Sequence, residues 1–133
     1  MAFEGDWKVC ENNNFEAFLI AFGVPEKQRA MMLEALMEIN IKQVGNQFTI
    51  VEKSCFCTKT SEWILDEEFE NTLADGSLVK GKFALSKSNC LTGHFKRLSD
   101  GKEFTITREI HGDLLEQVII IDGQEAKLTF KKQ

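Results

Sequence analysis

The sequence predicts an all-β chain: a ten-stranded antiparallel up-and-down barrel or flattened clam, capped by a short helix-turn-helix. Three observations predict it. Turn-forming clusters recur about every ten residues from Gly45-Asn46 to Asp122-Gly123, the rhythm of successive hairpins. Between the clusters apolar and polar residues alternate with period two, which puts one apolar face on each strand. Helical spacing occurs once, near the start, and does not return.

The first strand is short, with Trp7, Val9 and Phe3 on one face. The period then changes. Asn13-Asn14 offers a cap ahead of Phe15, Phe18, Leu19 and Phe22, which fall at i, i+3, i+4 and i+7. Gly23 ends this helix, and Pro25 suits the first turn of another, which runs through good helix formers to about Leu36. The pair, residues 14–36, reads as a movable lid.

From Glu38 onward everything reads as strand. Turn signals fall at Gly45-Asn46, Lys53-Ser54, Asp66-Glu67, Asp75-Gly76, Ser86 to Asn89, Asp100-Gly101, Gly112-Asp113 and Asp122-Gly123. Counting the first, that makes ten strands. An up-and-down meander of this length removes its edges by closing on itself. Ten strands exceed the roughly eight whose interior side chains alone fill, so the closed form predicts a cavity. Residues 1–133 form one domain.

Alternation also predicts the inward sets: Val79, Gly81 and Phe83; Leu91, Gly93 and Phe95; Leu115, Gln117, Ile119 and Ile121; Ala126, Leu128 and Phe130. The strand between Gly101 and Gly112 places Phe104, Ile106, Arg108 and Ile110 together. Arg108 therefore projects from an apolar face. A guanidinium there costs several kcal/mol, to order of magnitude, unless an anion and hydrogen-bond acceptors meet it. The anion is either a protein carboxylate or a ligand. Gln117 on the next strand is a second polar point beside it, with an outer-face or strand-end place as the alternative.

Composition narrows the function. Hydrophobic residues are 43% of the chain, and no stretch approaches the ~20 apolar residues of a membrane span. Met1 to Trp7 shows neither the basic region nor the apolar run of a signal peptide, so a cytoplasmic location is expected, with Cys10, Cys55, Cys57 and Cys90 as free thiols. The net charge of −5 and scattered lysines give no footprint for nucleic acid. His94 and His111 alternate out of phase with the apolar sets and should face solvent, and both are far in sequence from the Cys55–Cys57 pair, so no metal site is expected. There is no Ser-His-Asp order, no phosphate-binding glycine loop and no nucleophile on a strand-to-helix turn. Neither an enzyme nor a cofactor is expected.

The motif Gly5-Asp6-Trp7-Lys8-Val9, followed by Asn14-Phe15-Glu16-Ala17-Phe18, resembles the N-terminal signature of the intracellular lipid-binding proteins, which include the cytosolic fatty-acid-binding and cellular retinoid-binding proteins. Leu73-Ala74-Asp75-Gly76, Phe95-Lys96-Arg97, Arg108-Glu109-Ile110, Gly112-Asp113 and Phe130-Lys131-Lys132 extend the resemblance along the whole chain, toward the intestinal-type members. Phe15 to Pro25 is more similar to the liver type.

The resemblance implies a ten-stranded clam holding a long-chain fatty acid, its carboxylate at Arg108 with Gln117 in the network. It further implies that Phe18, Phe56, Trp63, Leu73, Ala74, Phe83, Phe95 and Ile119 line the cavity. Two departures bear on the ligand. Leu128 and Phe130 stand where many members carry an arginine and a tyrosine, and Asn71, Ile119 and Phe83 thin the intestinal type's aromatic lining.

The expected function is that of a monomeric cytosolic carrier that takes up a long-chain fatty acid and delivers it to membranes or enzymes. Lys27 and Arg29 of the lid would touch anionic headgroups in transient contact. A retinoid, a bile acid or another amphipathic carboxylate is the alternative ligand. A reading of a different class is a barrel collapsed around its own side chains that acts by binding proteins. That reading requires an internal carboxylate facing Arg108. Glu52 and Glu109 are the nearest candidates, and face assignment places both of them outside.

Overall fold

The computed structural model describes residues 3–23, 25–27, 29, 38–53, 58–72 and 77–133. Strand β1 (Gly5–Asn13) leads into helix α1 (Phe15–Phe22). Nine further strands follow: β2 (Glu38–Val44), β3 (Gln47–Lys53), β4 (Thr58–Ile64), β5 (Phe69–Thr72), β6 (Leu78–Lys87), β7 (Cys90–Arg97), β8 (Glu103–His111), β9 (Leu114–Ile121) and β10 (Gln124–Lys132). All lie in one antiparallel sheet ordered β4-β3-β2-β1-β10-β9-β8-β7-β6-β5. The expected ten-stranded meander is what forms.

Pairing of β1 with β10 joins the two ends of the chain, with Trp7 opposite Lys132 and Val9 opposite Phe130. Among the described residues, consecutive strands are all laddered except β4 and β5. The connection between these two spends its backbone hydrogen bonds elsewhere. Leu65 N–H donates to the Asn46 carbonyl (2.9 Å) and Asp66 N–H to the Phe83 carbonyl (2.8 Å). Side chains close the seam instead: Ser61 Oγ lies 3.4 Å from Asn71 Oδ1, and the Trp63 and Phe69 rings stack at 6.0 Å.

The β9–β10 turn shows why the turn chemistry was legible. Asp122 (φ 50°) and Gly123 (φ 75°) are both left-handed, as a two-residue hairpin requires if its twist is to match the strands.

Two interior glycines answer to a different demand. Gly93 stands opposite Phe83, and Gly81 opposite Phe95. A Cβ on Gly93 would come within 2.7 Å of the Phe83 ring and 2.5 Å of the Phe95 ring. Each ring therefore lies over the bare backbone of the neighbouring strand. Gly93→Ala should destabilise the protein by about 1–3 kcal/mol, the usual cost of overpacking. Denaturant unfolding would show it, and an unchanged midpoint would mean that the rings move aside freely.

The inward sets expected from alternation are buried on β8, β9 and β10: Phe104, Arg108 and Ile110; Leu115, Gln117, Ile119 and Ile121; Ala126, Leu128 and Phe130. His94 and His111 are exposed, as their phase required.

Helix α1 forms where helical spacing placed it, and it packs against β10 and β9. Both of its ends are tied to the barrel. At the start, the Asn14 side-chain amide donates to the Glu125 carbonyl (2.7 Å). At the end, Lys102 Nζ donates to the Ala21 carbonyl (2.7 Å) and pairs with Asp122 (2.8 Å). A cation suits this place, because the last carbonyls of a helix lack internal partners and carry the negative end of its dipole. The expected second helix falls largely outside the described residues. Within it, Arg29 N–H donates to the Pro25 carbonyl (2.9 Å).

Candidate ligand-binding site

The β8 alternation delivers Arg108 to the interior, where it is 6% exposed. Its register partners are Leu91 on β7 and Gln117 on β9, and Gln117 in turn faces Leu128 on β10. Arg108 Nε donates to Gln117 Oε1 at 2.9 Å. The guanidinium also sits over the Phe83 ring, 5.7 Å from its centre, within reach of the ring's negative face.

The third partner corrects the face assignment made from sequence. Arg108 Nη2 lies 3.5 Å from Glu52 Oε1. Glu52 shares its inward face with Phe48 and Ile50, both fully buried. The consecutive apolar pair Ile50-Val51 obscures that phase in the sequence, but Val51 is only half-buried and belongs to the other face. Glu109 is outside, as expected, and contacts His111 at 2.6 Å. In the sheet order β3 and β8 stand far apart, on opposite walls, so the Glu52–Arg108 contact crosses the barrel interior.

Burial pushes the Arg108 guanidinium below its ordinary value, and the charge and hydrogen bond of Glu52 pull it back. An arginine stays protonated throughout such shifts. Among the described residues no buried side-chain nitrogen or oxygen lacks a partner. Of the two anions left open for Arg108, a protein carboxylate or a ligand, the structure supplies the first, in Glu52.

Below this polar triad lies a continuous band of rings. Trp63 stacks on Phe48 and on Phe83, each at 4.5 Å. Phe83 meets Phe95 edge-on at 5.1 Å, and Phe95 stacks on Phe104 at 5.7 Å. The expected lining residues Trp63, Phe83 and Phe95 are thus in one cluster, and Phe83 joins that cluster to Arg108. Ile119 is buried one step away, opposite Ile106 and Ala126. Phe56, Leu73 and Ala74 lie outside the described residues, as does the side chain of Phe18. Sequence reasoning missed Phe48 and Phe69 as cluster members. The inward phase of Phe48 with Ile50 was the available signal.

Among the described residues the interior thus joins one polar cluster, Arg108, Gln117 and Glu52, to a band of aromatic rings. Among the described residues no group of three or more His, Cys, Asp or Glu side chains gathers as a metal site would. A recess of about 700 Å³ at β6 to β8 is lined by charged side chains of both signs, among them Glu68, Lys80, Lys82 and Glu103, together with the Phe95 and Phe104 rings, and does not include Arg108.

Comparison with known proteins places this geometry. The intestinal fatty acid-binding protein of Rattus norvegicus is 38% identical over 133 residues, covering 100% of both chains. The chain belongs to the fatty-acid-binding protein family. The human intestinal fatty acid-binding protein is likewise 38% identical, over 99% of each chain. A solved Schistosoma mansoni fatty acid binding protein, in complex with arachidonic acid, superposes with a TM-score of 0.92 at 23% identity, covering 99% of this chain and 96% of that one. At that identity the superposition speaks for the ten-stranded fold. No protein-family model matches the chain. Among the described residues no helix is long and apolar enough to cross a membrane. Lys27 is exposed, and Arg29 is half-buried.

Proposed function

We propose that this chain is a single-domain, monomeric, cytoplasmic carrier that binds a long-chain fatty acid inside the barrel, carboxylate toward Arg108 and Gln117. The observation that carries the reading is a buried guanidinium set beside a band of aromatic rings in a family member whose relatives are named for fatty-acid binding. The acyl chain runs over Trp63, Phe83, Phe95 and Ile119, with Phe18, Phe56, Leu73 and Ala74 completing the lining. Each buried methylene contributes about 0.8 kcal/mol, so the tail supplies most of the affinity and the head sets orientation. Entry requires the segment at residues 14–36 to move, and the ties of α1 through Asn14 and Lys102 are contacts that resist it.

Mass spectrometry of organic extracts from the purified protein tests the reading. A long-chain fatty acid is expected; a retinoid or bile acid would transfer the site to another amphiphile.

One observation favours a second reading. Glu52 supplies the internal carboxylate that a collapsed, protein-binding barrel would need. An empty extract from a protein that binds no added amphiphile would support that reading and remove the first.

Release is proposed to occur at membranes, with Lys27 and Arg29 meeting anionic headgroups, each contact worth about 1 kcal/mol. The double variant Lys27→Glu, Arg29→Glu should slow transfer to anionic vesicles several-fold and leave transfer to neutral ones alone. Equal rates for variant and wild type would end the membrane-contact proposal.

A further inference from the structure

The Glu52–Arg108 contact has a consequence for ligand choice. Arg108 is almost fully buried and holds one positive charge, and the Glu52 carboxylate 3.5 Å away already balances it. A fatty-acid carboxylate arriving at Arg108 would place two anions on one cation in an interior where an uncompensated charge is costly. An alcohol, amide or ester head brings no such conflict. It can hydrogen-bond to Gln117 or Arg108 with the ion pair in place. Glu52 is also free to give way. Its side chain is 33% exposed, and it reaches across the lumen from β3.

We propose that Glu52 is an internal occupant of the head-group seat and determines the specificity of the site. A carboxylate ligand binds only by displacing Glu52 from Arg108, whereas long-chain amphiphiles with an uncharged hydrogen-bonding head enter without that cost. The site is therefore less selective for acids than a lone buried arginine would be, and it takes neutral-headed lipids as a second ligand class. This rests on the proposed carrier function, in which the ligand head reaches Arg108.

The test is calorimetric titration of the delipidated protein with hexadecanoic acid and with hexadecanol. Wild type is compared with Glu52→Gln, which keeps shape and hydrogen bonding and removes the charge. Glu52→Gln should bind the acid about ten- to a hundredfold more tightly, the worth of one charge-assisted hydrogen bond, and the alcohol within about twofold of wild type. Glu52→Asp retains the charge but shortens the reach toward Arg108 and so weakens the contact, and it guards against a misfolded Gln variant. It should give an intermediate gain for the acid alone. If the acid binds wild type and both variants equally, Glu52 is no competitor, and the carrier reading stands without it. A gain shared equally by acid and alcohol would equally overturn the proposal. If neither ligand binds wild type or variant, the carrier reading falls and takes this one with it.

Discussion

Arg108→Gln should lower affinity for a long-chain fatty acid by about ten- to a hundredfold while leaving the matching alcohol within about twofold. Two effects add. The charge-assisted bond to the ligand carboxylate, roughly 1.5–3 kcal/mol net, is lost. In addition, the Glu52 carboxylate stays in the lumen facing the incoming anion, with no guanidinium between them. Leu128 is a buried aliphatic residue, so the residue that faces Gln117 on β10 provides no second cation to take over. The tail still holds the acid, so binding weakens but persists. The empty variant should also be less stable, by about 1–3 kcal/mol. Removing one partner of a fully buried pair costs about 3–5 kcal/mol, and the partial exposure of Glu52 discounts that figure. Without Glu52 in place the expected sign would be the reverse, because a solitary buried cation destabilises the empty barrel. Titration with acid and alcohol, together with denaturant unfolding of delipidated protein, checks both parts. Equal losses for the two ligands would mean that Arg108 shapes the barrel and does not read the head group.

The second large effect is expected at Trp63. Its ring is sandwiched between Phe48 and Phe83 at 4.5 Å each and reaches Phe69 at 6.0 Å. Phe69 belongs to β5 and Trp63 to β4, the two neighbours that share no ladder. Trp63 thus packs the core and also closes the seam. Trp63→Ala should cost about 3–5 kcal/mol, enough to consume a large part of the stability of a chain this size. Phenylalanine at the same position should recover more than half of that, since a ring there can still stack. Unfolding midpoints measure both variants. A loss below about 1 kcal/mol for Trp63→Ala would mean that the seam is held by backbone and turns alone.

Most of the architecture was legible because it depends on local signals. Period-two alternation gave the inward faces of β8, β9 and β10 correctly, and turn chemistry marked nearly every hairpin. Arg108 announced itself by its phase among Phe104, Ile106 and Ile110. What remained hidden depends on closure. That β3 and β8 face each other across the lumen follows from the whole sheet order, which no window of sequence contains, so Glu52 could not be paired with Arg108. Its own face was misread because Val51, next to Ile50, offers a competing apolar phase. The inward glycines are a related case. Their positions were expected, but the reason for them, clearance for Phe83 and Phe95 on the adjacent strand, appears only once the register is known.

The most direct test of the central claim is where the two ends of a bound fatty acid lie. Isotope-edited NMR on the complex with hexadecanoic acid, labelled with carbon-13 at C2 in one sample and at the terminal methyl in another, reports this as proton–proton contacts. With the carboxylate at Arg108, the C2 protons should show cross-peaks to the Phe83 ring and to the Gln117 side-chain amide, and the terminal methyl should show none to Gln117. Cross-peaks from the terminal methyl to Gln117, with C2 silent there, would place the acid the other way round and contradict the account.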